Sequence, residues 1–202
     1  MTPAQRLTDR KREAIVQAAI AEFRANGFDA TSVDKVAARA EVSKRTLYNH
    51  FPSKDELFEE ILRELWRCSA SLEERPYDPD APLRDQLVAL MMQKMALLGD
   101  DSFLDLARVA IARALHTPEQ AHEMVQRLGE KESGLVGWIR AAQKHGRLKA
   151  GDAALAAQQL ESLVKGAAFW PQVAMGQPKL NARAQRQVAT SAVDLFLSHY
   201  GA

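Results

Sequence analysis

The sequence predicts an all-α protein, with an N-terminal helix-turn-helix head on a larger helical bundle. Apolar residues recur with helical periodicity along most of the 202 residues, and no convincing alternating strand is found. Capping residues and helix breakers divide the chain into about nine helices. Two of these, within residues 31–50, are short and joined by about three residues, which is the spacing of a helix-turn-helix.

The first helix is predicted from about Asp9 to Asn26. Gly27 ends it, because glycine readily adopts the left-handed conformation that closes many helices. The apolar stripe of this helix faces the core, and Glu22 lies beside the stripe. We expect the Glu22 carboxylate to lie at the rim of the core, in water.

Two short helices follow. Thr31 and Asp34 have the spacing of a capping box, which predicts a helix that ends at about residue 40. Ser43 is a good N-cap for a second helix over residues 44–50. Pro52 ends that helix, because the residue before a proline is disfavoured in helical geometry.

A longer helix begins after Ser53, which forms another capping box with Glu56, and runs toward Glu74. The turn-rich segment RPYDPDAP then breaks the chain. No flexible linker precedes the long helix. We therefore place the boundary between two domains within it: a helix-turn-helix domain over residues 1–54 and a larger all-helical domain over residues 55–202.

The rest of the chain is predicted to be helical. Thr117 before Pro118 is a capped helix start, and Asp152 and Asn181 are N-caps. Pro171 should end or kink its helix, since proline lacks a backbone donor. The predicted helices cover residues 83–98, 102–115, 117–145, 153–175 and 182–200.

Composition and charge exclude several classes of protein. Apolar residues make up 47% of the chain, enough for a sizeable core. A single cysteine, Cys68, excludes an internal disulfide framework. No segment approaches the ~18 apolar residues of a membrane span, so we expect a cytoplasmic protein. The net charge is only +1, but residues 1–54 carry ten Lys/Arg against six Asp/Glu, which indicates a polyanionic partner.

The second short helix has an unusual outward face. Leu47 points into the bundle, while the outward residues carry charged, amide, hydroxyl or aromatic groups. The major groove of DNA admits one α-helix, and there Arg45 pairs well with guanine and Asn49 with adenine. Further side chains here and at the neighbouring helix starts suit phosphate oxygens, namely Thr31, Ser32, Thr46, Tyr48, His50 and Lys54.

The stretch TSVDKVAARAEVSKRTLYNHFPSKDELFEEIL resembles the DNA-binding domain of the TetR family of transcriptional regulators, over about Arg10 to Leu62. The resemblance implies a three-helix head on an all-α regulatory domain that dimerises and binds a small effector. It implies phosphate contacts for Tyr48 and Lys54. The basic leader before this stretch either reaches DNA or is simply solvated. The implied recognition helix is lined by Ser43, Lys44, Arg45, Thr46, Tyr48, Asn49 and His50.

The C-terminal part, from about residue 102, resembles the AefR-like class within that family, through LARVAIARAL, AAQKHGRLKAGDAALAAQQL and KGAAFWPQVAMG. Small residues in helix 153–175 allow close helix approach, and the last helix has an apolar stripe. Two such helices from each chain would form a four-helix dimer interface; alternatively, both pack within one chain. The predicted interface residues are Leu160, Val164, Ala167, Val188, Ala192, Leu195, Phe196 and His199.

A ligand cavity needs large apolar side chains and a few convergent polar groups. Every candidate here also fits an ordinary core position. Arg108 lies among apolar residues and must be paired if it is buried. Asp105 would give a structural ion pair, and a carboxylate ligand is the alternative partner. The candidate pocket residues are Met92, Met95, Phe103, Leu106, Arg108, Trp138, Phe169 and Trp170.

The sequence holds no recognisable catalytic, nucleotide-binding or metal-binding motif, and its five His residues are scattered. We predict no cofactor, no metal and no enzyme. The prediction is a homodimeric transcriptional regulator that binds double-stranded operator DNA, a repressor released by an unidentified small-molecule effector. The alternative is a helical protein–protein adaptor or a small-molecule-binding protein without sequence-specific DNA binding.

Overall fold

A computed structural model of the chain describes residues 3–70, 76–117 and 134–202, and every regular element within these ranges is a helix. The predicted all-α fold class is confirmed. No helix in the described ranges is both long and apolar enough to cross a membrane. The helices are α1 Pro3–Asn26, α2 Val33–Arg39, α3 Lys44–His50, α4 Lys54–Ala70, α5 Leu83–Leu98, α6 Asp101–His116, α7 Gly134–Lys144, α8 Ala153–Ala168, α9 Trp170–Ala174 and α10 Ala182–Tyr200.

Most of the predicted helix starts are confirmed by capping hydrogen bonds. The Ser43 hydroxyl accepts from the Thr46 amide at 3.0 Å. The Asp152 carboxylate accepts from two amides of the first turn of α8, and Asn181 caps α10 in the same way. Each cap satisfies amides that no helical carbonyl can reach. The predicted break near Pro171 is confirmed too, since α8 ends at Ala168 and a new short helix holds the proline.

The capping box predicted for α2 is wrong in its first residue. Ser32 is the N-cap, and its hydroxyl accepts from the Lys35 amide at 3.3 Å. The Thr31 hydroxyl donates instead to the carbonyl oxygens of Glu22 and Gly27, at 3.1 and 2.7 Å. It therefore ties the end of α1 to the chain that leads into α2.

Other boundaries differ by small amounts or lie outside the described residues. α1 begins at Pro3 rather than Asp9, in keeping with the preference of proline for the first helical turn. The helix predicted from residue 117 falls largely on residues 118–133, outside the described ranges. Its end is described as α7, which Gly146 closes with the left-handed φ of 68°. Residues 71–74, the predicted end of α4, also lie outside.

By packing, the chain separates into two compact units. Of the described residues, unit 1 comprises 3–66 and 105–117, and unit 2 comprises 67–70, 76–104 and 134–202. The boundary predicted between residues 54 and 55 separates parts with different functions rather than packed units, and it stays a prediction.

The core of unit 1 joins α1, α2, α3 and α4 to the later part of α6. Its largest members include Ile15, Phe23, Leu57 and Ile61, all buried. Leu106, Val109 and Ala110 of α6 belong to the same cluster. Each large apolar side chain buried in this way stabilises the fold by about 1.5–3 kcal/mol.

Two buried carboxylates cross-link unit 1. The position of one of them, Glu22, contradicts the prediction made from the sequence. Glu22 was expected in water, but only 8% of the residue is exposed. Its carboxylate accepts from the Arg39 guanidinium at 2.7 Å and from the Asn26 amide at 3.0 Å. Since a buried carboxylate needs such partners, the pair joins α1 to α2.

Unit 2 is built around α5, which is apolar on most of its surface and packs against α8 and α10. Glu161 on α8 accepts from Lys94 of α5 at 3.0 Å and from Lys165 at 2.6 Å. Burial alone would raise the pKa of the Glu161 carboxyl, but the two ammonium groups hold that pKa below its ordinary value. The last residues are held by backbone bonding between Lys149 and Tyr200 at 2.8 Å.

Glu60 is the second buried carboxylate of unit 1. It accepts from Arg12 at 2.7 Å and also pairs with Arg63, and hydrogen bonding by Arg12 contributes most to lowering the pKa of Glu60, to about 2. The Arg12 guanidinium also lies 4.8 Å from the ring centroid of Phe51, which follows α3. This group of residues therefore holds α1 and α4 beside the end of α3.

We expect Glu60→Gln to lower the free energy of unfolding at pH 7 by about 1–3 kcal/mol, because Arg12 loses its buried partner. The folded pKa of about 2 lies below the ordinary 4.5, so the unfolded chain binds the proton first. The stabilisation is then complete above about pH 4.5 and lost as the pH falls toward 2. Urea unfolding of both proteins across this range measures the difference; Glu59→Gln, at an exposed neighbour, is the control. A pH-independent difference would contradict the assignment.

Candidate functional site

The turn between α2 and α3 spans residues 40–43. Glu41 has a φ of 54°, a left-handed conformation that side chains other than Gly, Asn and Asp adopt rarely. Two backbone bonds hold it: the Glu41 amide donates to Ala38 at 3.2 Å, and the Val42 amide donates to Ala37 at 3.0 Å. The turn therefore reverses the chain within four residues and sets α3 across α2. Nothing in the sequence at Glu41 marks the left-handed position.

One side of α3 is fixed to the core of unit 1. Leu47 is 1% exposed, and Phe51 just after the helix is buried too, as predicted for Leu47. At the start of the helix, the hydroxyls of Ser43 and Thr46 lie 2.8 Å apart. Both hydroxyls are thus engaged with each other, so Thr46 is oriented by its own helix cap.

The opposite side of α3 presents Arg45, Tyr48 and Asn49. Spacings of three and four residues place these side chains on one helical face. All three are exposed, Tyr48 to 41%. Within the described residues, none of them makes an intramolecular hydrogen bond or ion pair. A guanidinium, a phenol and an amide are therefore all available to an external partner.

Lys44 and His50 lie at the two ends of α3. The Lys44 ammonium contacts the Asp34 carboxylate at 2.8 Å, and this hydrogen bond raises the pKa of Lys44. Both partners are largely exposed, so the pair links α2 to α3 only weakly. His50 is half-buried in the last turn.

Thr31 is wrong as a predicted phosphate contact. Only 2% of the residue is exposed, and its hydroxyl donates to two carbonyl oxygens of unit 1. The neighbouring Ser32 is exposed, and its oxygen accepts from the α2 amide, so its hydroxyl hydrogen is free to reach outward. The sequence alone could not separate these two adjacent hydroxyls.

Lys54 also has a different environment from the predicted one. Its ammonium donates to the carbonyl oxygens of Phe28, Asp29 and Thr31, at 2.7, 3.2 and 3.2 Å. The ammonium also lies 4.4 Å from the ring centroid of Phe28. An ammonium has three N–H donors, and all three are used here. The structure therefore makes Lys54 a cross-link between the α1–α2 corner and the start of α4, and this revises its predicted phosphate role.

The predicted pocket residues do not come together in one place. In unit 2, Phe103, Phe169 and Trp170 form one aromatic group, with ring centroids 6.2 and 5.2 Å apart. Trp138 belongs to another, and meets the Tyr77 ring edge-on at 5.2 Å. Of the two predicted methionines, Met95 is buried, whereas Met92 lines an open groove of about 480 Å³ between α5 and α10.

Two predicted pocket residues belong to unit 1. Leu106 is wrong as a pocket residue, because its side chain is buried in the apolar core of that unit. Arg108 donates to Asp105 at 2.9 Å. Of the two partners considered for Arg108, Asp105 and a carboxylate ligand, the structure therefore contains the ion pair with Asp105. Both residues lie on α6.

The predicted dimer-interface residues divide by exposure. Four are wrong, because they are buried within a single chain where α8 packs against α10 and α5: Leu160, Val164, Ala192 and Phe196. Ala167, Leu195 and His199 are exposed, and Val188 is half-buried. The exposed Leu155 and Leu163 of α8 extend this face but were missed, because helical periodicity does not tell which apolar side of a helix faces its own chain.

A seven-residue helix, fixed on one side by a small apolar core and carrying free polar groups on the other, defines a helix-turn-helix protein. The sequence profile described as bacterial regulatory proteins, tetR family, matches residues 15–61. The profile of the AefR-like transcriptional repressor, C-terminal domain, matches residues 85–202. The chain therefore belongs to the tetR family of bacterial regulatory proteins.

Individual relatives agree with this assignment. The chain is similar to the crystal structure of a TetR family transcriptional regulator from Pseudomonas syringae pv. tomato, with 51% identity, a TM-score of 0.83, and coverage of 96% of this chain and 98% of that one. It also resembles the flavonoid-responsive regulator FrrA, at 27% identity, a TM-score of 0.71 and coverage of 96% and 98%. The HTH-type transcriptional regulator RutR of Escherichia coli K12 is 25% identical over 139 residues, which span 67% of this chain and 65% of that regulator.

We expect Lys54→Met to lower the free energy of unfolding by about 1–3 kcal/mol, because three carbonyl oxygens of the α1–α2 corner lose their donor. Thermal unfolding measures the loss. The control is Lys35→Met, an exposed lysine of α2 whose substitution should leave the unfolding temperature nearly unchanged.

DNA binding by Lys54→Met should weaken with no change in the slope of log affinity against log salt, since no phosphate contact is removed. A slope smaller by about 1 would show that Lys54 does contact a phosphate, as the sequence predicted.

Proposed function

We propose that this protein is a transcriptional repressor that reads operator DNA with the exposed face of α3. The observation that carries the proposal is the row of Arg45, Tyr48 and Asn49, exposed and without intramolecular partners within the described residues. Arg45 suits the O6 and N7 acceptors of guanine, and Asn49 suits the N6 and N7 groups of adenine. Membership of the tetR family supports the same function.

The proposed backbone contacts come from hydroxyl and basic groups around that row. Ser32, Ser43 and Thr46 lie at the starts of α2 and α3, where free helical amides also favour a phosphate. Lys44, Tyr48 and His50 complete this set. Such contacts set the register of the protein on DNA but carry no sequence information.

The proposed regulator is a homodimer, because two recognition helices must enter successive major grooves ~34–36 Å apart. The exposed sides of α8 and α10 are the proposed interface. Leu163 and Leu195 are 42% and 57% exposed there, although residues of this kind are normally buried. A shallow hollow of about 710 Å³ runs along the exposed side of α10, next to Leu195, and gives room for side chains of a second copy.

The proposed effector is a small apolar or aromatic molecule that binds in unit 2. Aromatic side chains are abundant there, and the similar regulator FrrA responds to flavonoids. The Tyr77 hydroxyl and the Gln93 amide oxygen are buried, and within the described residues they have no hydrogen-bond partner. A ligand with a donor group would satisfy them, which favours a ligand such as a phenol. An effector that binds the DNA-incompetent state more tightly shifts the protein toward that state. Operator affinity then falls by an amount set by the difference in effector affinity between the two states.

One gel-shift experiment tests both the proposed base contacts of α3 and the alternative that the protein is an adaptor without sequence-specific DNA binding. DNA from upstream of the gene that encodes this protein should be retarded in a gel shift, and footprinting then defines the operator. Arg45→Ala should weaken operator binding by about 1–3 kcal/mol and relax specificity at one base pair. Non-specific binding should change much less. Lys144→Ala, at an exposed lysine of α7 in unit 2, is the charge-matched control.

Equal losses for Arg45→Ala and Lys144→Ala would contradict the assigned base contact. Absence of any sequence-dependent retardation would support the adaptor.

We expect Leu195→Glu to convert the dimer to a monomer, because a charge would be buried at the centre of the proposed interface. Analytical ultracentrifugation measures the association state, and operator affinity should fall by at least about tenfold. The control is Leu115→Glu, at a residue of α6 that is 77% exposed and lies in unit 1. A Leu195→Glu protein that stays dimeric at micromolar concentration would refute this interface.

A further inference from the structure

The head of this protein includes a segment that lies far from it in sequence. Unit 1 takes in the part of α6 from Asp105 onward, and apolar residues of that segment enter its core. The matched helix-turn-helix profile ends at residue 61, more than forty residues earlier. A helix-turn-helix of residues 1–54 alone would therefore lack part of its own packing.

Arg113 makes the most unusual contact of this α6 segment. Its guanidinium carbon lies 3.3 Å from the ring centroid of Phe28 and 4.7 Å from that of Phe58. The same group contacts the Asp55 carboxylate at 2.7 Å, and only 10% of the Arg113 side chain is exposed. A cation so far removed from water persists only with partners, here two rings and a carboxylate.

The two rings and the carboxylate belong to the α1–α2 corner and to α4. Phe28 lies two residues after the end of α1, and its ring centroid lies 5.1 and 5.5 Å from those of Phe23 and Phe58. Lys54 lies 4.4 Å from the centroid of the same Phe28 ring. Lys54 and Asp55 are the first residues of α4, which three residues separate from the end of α3.

The α1–α2 corner is therefore held by two cations. Lys54 bonds to its carbonyl oxygens, and Arg113 stacks on its aromatic ring and pairs with the start of α4. The α6 segment is also fixed near its other end, where Arg24 of α1 pairs with Asp105. About 12 Å of helix separates Asp105 from Arg113. α6 therefore contacts the end of α1 at Arg24 and the α1–α2 corner at Phe28.

We propose that Arg113 is a positioning residue for operator binding. It acts through Phe28 and Asp55 and does not itself touch DNA. The inference rests on the proposed function. Arg113 holds the α1–α2 corner against the start of α4, and only three residues separate that start from the end of α3. When the contact is lost, the folded head populates orientations of α3 that do not fit the groove, and operator affinity falls in proportion to the competent fraction.

The test compares Arg113→Met with Arg108→Met, a matched change on the same helix at a residue that pairs with Asp105 of α6. Operator affinity is measured by fluorescence anisotropy of the full-length proteins, well below their unfolding temperatures. We expect Arg113→Met to bind about tenfold more weakly, with an unchanged salt slope because no phosphate contact is lost. Arg108→Met should stay within about twofold of the parent protein. Arg113→Lys should recover part of the affinity, since a cation remains over Phe28.

A purely structural role would lower the unfolding temperature and leave the affinity of the folded protein unchanged, and that result would overturn the inference. If Arg113→Met does not fold, Asp55→Asn removes the ion pair at a largely exposed carboxylate. Weaker operator binding by Asp55→Asn supports the inference, and parental affinity overturns it. If the parent protein itself binds no DNA in a sequence-dependent way, the proposed function fails, and this inference fails with it.

Discussion

The position of α3 depends on one constraint: a helix of seven residues is too short to be stable alone and must be held by its neighbours. Leu47 and Phe51 supply that hold by inserting into the core of unit 1, and the Ser43 cap fixes the first turn. Because the contact uses one side of the helix, the other side is left free to carry polar groups. The proposed reading of bases by Arg45 and Asn49 follows from this division of the helix surface.

Buried charges define the geometry of the small core around α3. Glu22 pairs with Arg39, Glu60 pairs with Arg12, and Arg113 lies between two phenylalanine rings beside Asp55. Removing one partner from such a pair leaves an uncompensated charge, so the pairs strongly disfavour other arrangements of the helices. Exposed pairs such as Lys44 with Asp34 contribute far less, because water and salt screen them.

Unit 2 differs from unit 1 in how its apolar residues are distributed. α5 is surrounded by apolar neighbours, while α8 and α10 bury one side and expose leucines on the other. A single chain therefore contains both a packed core and an apolar surface, which is the surface proposed above as the dimer interface. The aromatic groups of unit 2 are separate in this structure, and the buried hydroxyl of Tyr77 has no partner within the described residues. For the proposed effector site, these features favour an adaptable pocket rather than a rigid one.

The sequence by itself determined the features that depend on neighbours within a few residues. Ser43, Asp152 and Asn181 cap helices as predicted, and Leu47 faces inward, because capping and periodicity are local. Only the tertiary structure decided which partner each polar or apolar group meets across the fold. Lys54 reaches carbonyl oxygens some 25 residues away, and Arg113 reaches a carboxylate 58 residues away. No local pattern records such distances, so the burial of Thr31, the role of Lys54 and the surface that α8 and α10 leave open were fixed by packing.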